Sequence, residues 1–223
     1  GCGLCHSGTL PGGFRRVDAE WITSPTARRI VQHWADSRPA WLWSHDGSTL
    51  LWRNPAARYV TAKVKKSGLR LGAEAVPLKG LVARLIRLGS IGQTSLSRVQ
   101  FLAGDKPVAV TCACTPLHVA SGETALLLVG TDKIDKDIRE AAGDLVADAM
   151  TEALVPAGMD YLLVADGRVR AGSHAALARR PVGSDSADLP QEADGALVFL
   201  AGPKGQTLHL LPHAAPAAIA EAR

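Results

Sequence analysis

The chain opens on Cys2-Gly3-Leu4-Cys5-His6, the spacing Cys-x-x-Cys-His. Two thiols three residues apart can each take a haem vinyl group while the adjacent imidazole ligates the iron, which is c-type haem attachment. The same side chains are donors for a zinc or iron–sulfur clip, but that needs a fourth ligand, and it would have to come from Cys112 or Cys114. The setting argues against both, because the segment is a glycine-rich terminus with no distal-ligand motif nearby. No cofactor is therefore expected; haem or zinc at Cys2, Cys5 and His6 is the alternative. Cys112 and Cys114 lie two apart in a β-prone run, so they point to one face and read as small core residues.

Catalytic patterns are missing. There is no Gly-x-Ser-x-Gly, no phosphate loop and no helical histidine pair. No catalytic residue is expected in this segment.

The 223 residues are 47% hydrophobic and 21% charged, which is globular composition. No run approaches the length of a bilayer span. The start at Gly1 and the closing HAAPAAIAEAR read as an excised piece of a longer polypeptide. Residues 1–125 carry 16 Lys/Arg against 7 Asp/Glu, and residues 126–223 carry 9 against 14, so a basic half precedes an acidic one. The basic residues concentrate at Lys63, Lys65, Lys66, Arg70, Lys79, Arg84 and Arg87. Without interleaved aromatics they read as a solvated face rather than a nucleic-acid site, and no nucleic-acid partner is expected.

The elements that must position these residues are legible in part. Residues 1–24 read as a flexible lead-in. Ser24-Pro25 starts a helix running to about Asp36. Trp41 to Trp43 and Thr49 to Trp52 flank His45-Asp46-Gly47-Ser48 as a hairpin. Asn54-Pro55 is an N-cap followed by an N1 proline. Thr61 to Leu88 reads as helical with interruptions, best at LKGLVARLIRLG. Leu96–Leu102, Pro107–Leu117 and Thr124–Gly130 form an antiparallel meander. Lys133–Leu154 is a charged, alanine-rich helix with a narrow, near-heptad stripe suited to pairing with a second copy. Around Asp166-Gly167 the strand–turn–strand–small-residue pattern recurs, and a last hairpin surrounds Gly202 to Gly205.

That order resembles a PAS domain, and AWLWSHDGSTLLWRNPAA resembles the start of PAS sensor domains of bacterial histidine kinases. Asp46, Gly47, Asn54, Ala56 and Ala57 carry the likeness. VGTDKID is similar to the end motif that joins such a core to its output helix, although Asp132 is followed by Lys-Ile-Asp. The resemblance covers about residues 25–135. It implies an α+β fold: a PAS-like antiparallel five-stranded sheet with flanking helices at 25–132, then an output helix at 133–154. A smaller, degenerate PAS-like unit would follow at 155–215, with a linker starting at 216–223. In the second unit His174 or Ser173 stands near the place of the asparagine.

The resemblance further implies a sensory and dimerisation input region of a two-component sensor histidine kinase. Its partners would be a second copy, a downstream kinase core and a response regulator, and its compartment the cytoplasm. The phosphoacceptor helix and nucleotide-binding glycine boxes are absent from this segment. Haem-binding members need a histidine on the long helix, and residues 73–90 have none. Trp43, Trp52, Leu85, Ile86, Val99 and Val110 are the candidate lining of a ligand cavity, or equally an ordinary packed core. Two other readings are a redox or metal protein using Cys2, Cys5 and His6, and a ligand-free PAS module that docks another protein through Lys65, Lys66 and Arg84.

Overall fold

The computed structural model describes residues 25–119, 122–143, 145, 147, 151, 159–187, 189, 197–200 and 207–212. Helix α1 (Pro25–Val31) leads into β1 (Ala40–Ser44), β2 (Leu50–Arg53) and the short α2 (Pro55–Arg58). A small hairpin follows, β3 (Lys63–Lys65) and β4 (Gly68–Arg70), then β5 (Ala75–Pro77) and α3 (Leu81–Leu88). The meander is β6 (Ser95–Ala103), β7 (Lys106–His118) and β8 (Thr124–Gly130), followed by α4 (Lys136–Ala141). The second unit has β9 (Met159–Ala165), β10 (Arg168–Gly172), α5 (His174–Arg179), β11 (Leu197–Leu200) and β12 (Thr207–Pro212).

The main sheet is antiparallel and has six strands in the order β2-β1-β8-β7-β6-β5, one more than the five expected. The extra strand, Ala75–Pro77, pairs with the outer edge of β6. The expected helical character of 61–77 gives way to β3–β4. Gly68 at φ +107° makes the turn, and Val64 pairs with Leu69 across it. The long-helix forecast holds from Leu81, where Gly80 at φ +78° ends the preceding loop, to its stop at Gly89. Pro116 sits inside β7 at no cost to the ladder. Its carbonyl accepts from the Gly92 N–H, so its nitrogen faces the side where β6 has already ended.

Strands β1 and β8 are apolar almost throughout because both faces of the sheet are covered. On the concave face Trp41, Trp43, Val99, Phe101, Leu126 and Leu128 pack under Val82 of α3. On the back face Leu42, Trp52, Leu117, Leu127 and Val129 form one core with Ile30, Val31 and Trp34 from the α1 region. Tyr161, Leu163, Leu208 and Leu210 of the second sheet belong to that same core.

The second sheet, β10-β9-β12-β11, repeats the order hairpin, last strand, penultimate strand. Alternation along β9 sends Tyr161 and Leu163 to the shared core and Leu162 and Val164 to the far face beneath Ala176 of α5. The two sheets therefore stack back to back, with α3 and α5 on the outer sides.

The expected single helix over 133–154 is broken. Asp135 caps α4 by accepting from the N–H groups of Asp137 and Ile138, and the chain leaves helical geometry at Gly143, φ +68°. α4 packs against β3 and β4. No helix among the described residues is long and apolar enough to cross a membrane.

Candidate functional site

Asn54 is fully buried and joins three elements. Its side-chain oxygen accepts from the backbone N–H of Ala40 at 2.9 Å, at the start of β1, and of Ala57 at 3.0 Å, in the first turn of α2. Its amide nitrogen donates to the carbonyls of Arg38 at 2.8 Å and His33 at 2.9 Å, with Asp36 O at 3.3 Å. Asp36 braces that loop from outside through hydrogen bonds with Arg38. Burial works to raise the Asp36 carboxyl, but hydrogen bonds from His33 and Arg38 outweigh it and hold the group below the usual range.

Ser173 takes the equivalent place in the second unit. Its N–H donates to Tyr161 O at 3.0 Å, as the Asn54 N–H donates to Ala40 O at 3.0 Å. Its hydroxyl lies 3.3 Å from the Tyr161 nitrogen and donates to buried Asp160 at 2.6 Å. A hydroxyl supplies fewer hydrogen bonds than a carboxamide, so Asp160 and Arg179, 3.7 Å apart, complete this corner.

Asp46 and Gly47 close the β1–β2 turn. The Asp46 carboxylate accepts from the Ser44 hydroxyl and from the Ser48 N–H and hydroxyl, which hold it below its ordinary range although it is exposed. Gly47 is needed twice over. Its φ is +72°, and a Cβ there would come within 2.9 Å of Val82 on α3. The turn therefore rests directly on the long helix.

Of the six residues singled out as a cavity lining, Trp43 and Val99 are buried on the concave face, with Leu85, Ile86 and Val110 half-buried around them. Trp52 is not with them. The pairing slips between Leu42↔Trp52 and Trp43↔Leu50, a bulge that puts two β2 residues against one step of β1. Strict alternation from Leu50 would aim Trp52 into the cup; the bulge turns it to the back face. There it meets Trp34 edge to face at 5.3 Å. The hairpin of the second unit carries the same irregularity between Val169 and Ala171.

The indole N–H groups of Trp34, Trp41, Trp43 and Trp52 find no acceptor among the described residues, so these side chains contribute apolar bulk. Cys112 and Cys114 are buried on the concave face. Burial pushes the Cys112 thiol up to about 12, with Cys114 adding to it, and the Cys114 thiol up to about 11. Both thus stay protonated and unreactive at neutral pH. Alkylation of the folded protein at pH 8, followed by peptide mass spectrometry, should leave the Cys112–Cys114 peptide unmodified until urea is added; modification in the native state would show that the face opens.

Cys2, Cys5 and His6 lie outside the described residues. Among the described residues no group of three or more His, Cys, Asp or Glu is placed to hold a metal ion.

A cavity of about 680 Å³ opens at the rim of the main sheet, between the β3–β4 hairpin and the β6–β7 turn. Lys63, Lys65, Arg70 and Lys106 line it together with Asp105. The first three belong to the basic run read from sequence as a solvated face. Lys106 comes from the far side of the meander, and only the sheet register brings it alongside.

No family model matches the chain, and no curated protein matches it. Among solved structures the chain is similar to the Vibrio cholerae LuxQ periplasmic domain. The identity is 14% over 78% of this chain and 70% of that one, with a TM-score of 0.23.

Proposed function

We propose that this chain is a PAS-type sensory input region of a two-component sensor histidine kinase, and that it relays a signal to a kinase core carried elsewhere in the polypeptide. The observation that carries this reading is the order of elements around Asn54. A bulged hairpin, an asparagine-capped short helix, a longer helix and a three-stranded meander follow one another, with the hairpin placed beside the last meander strand. That is the order the sequence resemblance implies. The repeat of the same corner at Ser173 supports reading the second unit as a shortened copy. The chain itself carries no catalytic step, and its output passes through α4, which leaves β8 and leans on the β3–β4 hairpin.

The reading is tested by fusing the chain ahead of a histidine-kinase core stripped of its own input region. The fused core should form dimers in sedimentation velocity at tens of micromolar. Its autophosphorylation rate should change severalfold relative to the bare core. A monomer whose rate equals that of the bare core would remove the basis for an input role.

A further inference from the structure

We propose that the rim cavity between the β3–β4 hairpin and the β6–β7 turn is a binding site for a small organic anion, a carboxylate or phosphate carried on an apolar body. Four cations, Lys63, Lys65, Arg70 and Lys106, surround it against one acid, Asp105. None of the four makes an ion pair with a described residue, whereas other cations of the chain do. Arg53 and Arg58 share Glu74, Arg38 takes Asp36, and Lys136 takes Glu140.

The hairpin also holds like charges together. Lys63 and Arg70 are direct cross-strand partners, an arrangement that opposes pairing unless an anion lies between them. A two-stranded ribbon is marginal by itself, which makes that repulsion significant. Arg70 offers a planar fork for two oxygens, and Lys106 stands on the opposite wall.

Apart from Thr61 the remainder of the lining carries no polar side chain, with Val60, Leu71, Pro107 and Val108 among it, so an apolar body is accommodated beside the charged group. The volume falls in the range of small-molecule sites. No aromatic side chain lines the cavity, so it lacks the stacking platform that would favour a nucleic-acid strand. As the seat of a signal the site rests on the sensory reading above. As a binding site it does not, because binding is measured whether or not the fused core responds.

Titration calorimetry at low salt with octanoate, phenyl phosphate, inorganic phosphate and octanol tests the proposal. Octanoate or phenyl phosphate should saturate one site per chain, inorganic phosphate should bind more weakly, and octanol should give no heat. Arg70→Glu and Lys106→Glu, both at exposed positions, should each weaken binding about tenfold or more while tryptophan fluorescence stays that of the parent. No saturation by either organic anion at about 10 mM, a range weaker than ordinary recognition, would overturn the proposal, as would the parent's affinity retained in both variants. A response confined to a single-stranded oligonucleotide would overturn it too, by making the patch a nucleic-acid contact.

Discussion

Replacing Asn54 with alanine should lower the stability of the chain by about 3 kcal/mol or more, the sum expected when several buried backbone groups lose their partners at about 1–3 kcal/mol each. The substitution strands the N–H groups of Ala40 and Ala57 and takes a donor from the carbonyls of Arg38 and His33, of which His33 keeps the Asp36 N–H, in a corner where Asn54 itself is fully buried. Asn54→Asp separates this account from a simple volume effect. The aspartate keeps the size and the accepting oxygen but turns a second oxygen toward three carbonyls, so its carboxyl is raised in the folded state. A raised carboxyl holds a proton that the unfolded chain has released, so stability falls as pH climbs past the ordinary value of about 4. Urea unfolding across pH 4 to 8 should therefore find Asn54→Asp recovering stability toward acid, while Asn54→Ala keeps a constant deficit relative to the parent. An alanine variant within about 0.5 kcal/mol of the parent, the size of an ordinary surface substitution, would refute the architectural role.

Cutting the chain between its two sheets should be as damaging. Residues 25–142 produced alone would expose Leu42, Trp52, Leu117 and Leu127, all of them buried in the core shared with Tyr161, Leu163, Leu208 and Leu210. Each such side chain is worth about 1.5–3 kcal/mol on burial, against a total stability of about 5–15 kcal/mol for a domain. The fragment should precipitate, or elute as large self-associated species in size-exclusion chromatography, with an apolar face too large for a free monomer. A soluble monomer with the parent's unfolding midpoint would show instead that the main sheet is self-sufficient.

That second expectation reverses a boundary that reads naturally from sequence. The charged, alanine-rich run at 133–154 reads from sequence as an output helix between two units, because composition reports only local surroundings. The core that Leu42 shares with Tyr161 and Leu208 joins positions more than a hundred apart, and no local pattern records it. Strands of the meander were legible because Val99, Phe101 and their partners alternate. Asn54 was legible because an asparagine before a proline carries its own local meaning as a cap. Its reach to the His33 and Arg38 carbonyls was not.

Trp52 failed for a specific reason: period-2 reasoning assumes an unbroken pleat, and one extra residue in β2 reverses every side chain beyond it. The β3–β4 hairpin failed because its strands are three residues long, too short to show alternation, and half their residues are charged. The rim cavity could not be read at all, since Lys106 acquires its neighbours only through the pairing of β6 with β7.

The core shared by Leu42, Leu127, Tyr161 and Leu208 sets the two sheets back against back within one polypeptide. The surface on which a second copy of the main sheet would most simply stack is thus already taken by the chain's own abbreviated repeat. Contact across that seam is unimolecular, so substitutions at Leu42 or Tyr161 should act to the same degree at any protein concentration. Among the described residues, the outward layers are what remains for association between separate chains, and there dilution and mutation should act alike.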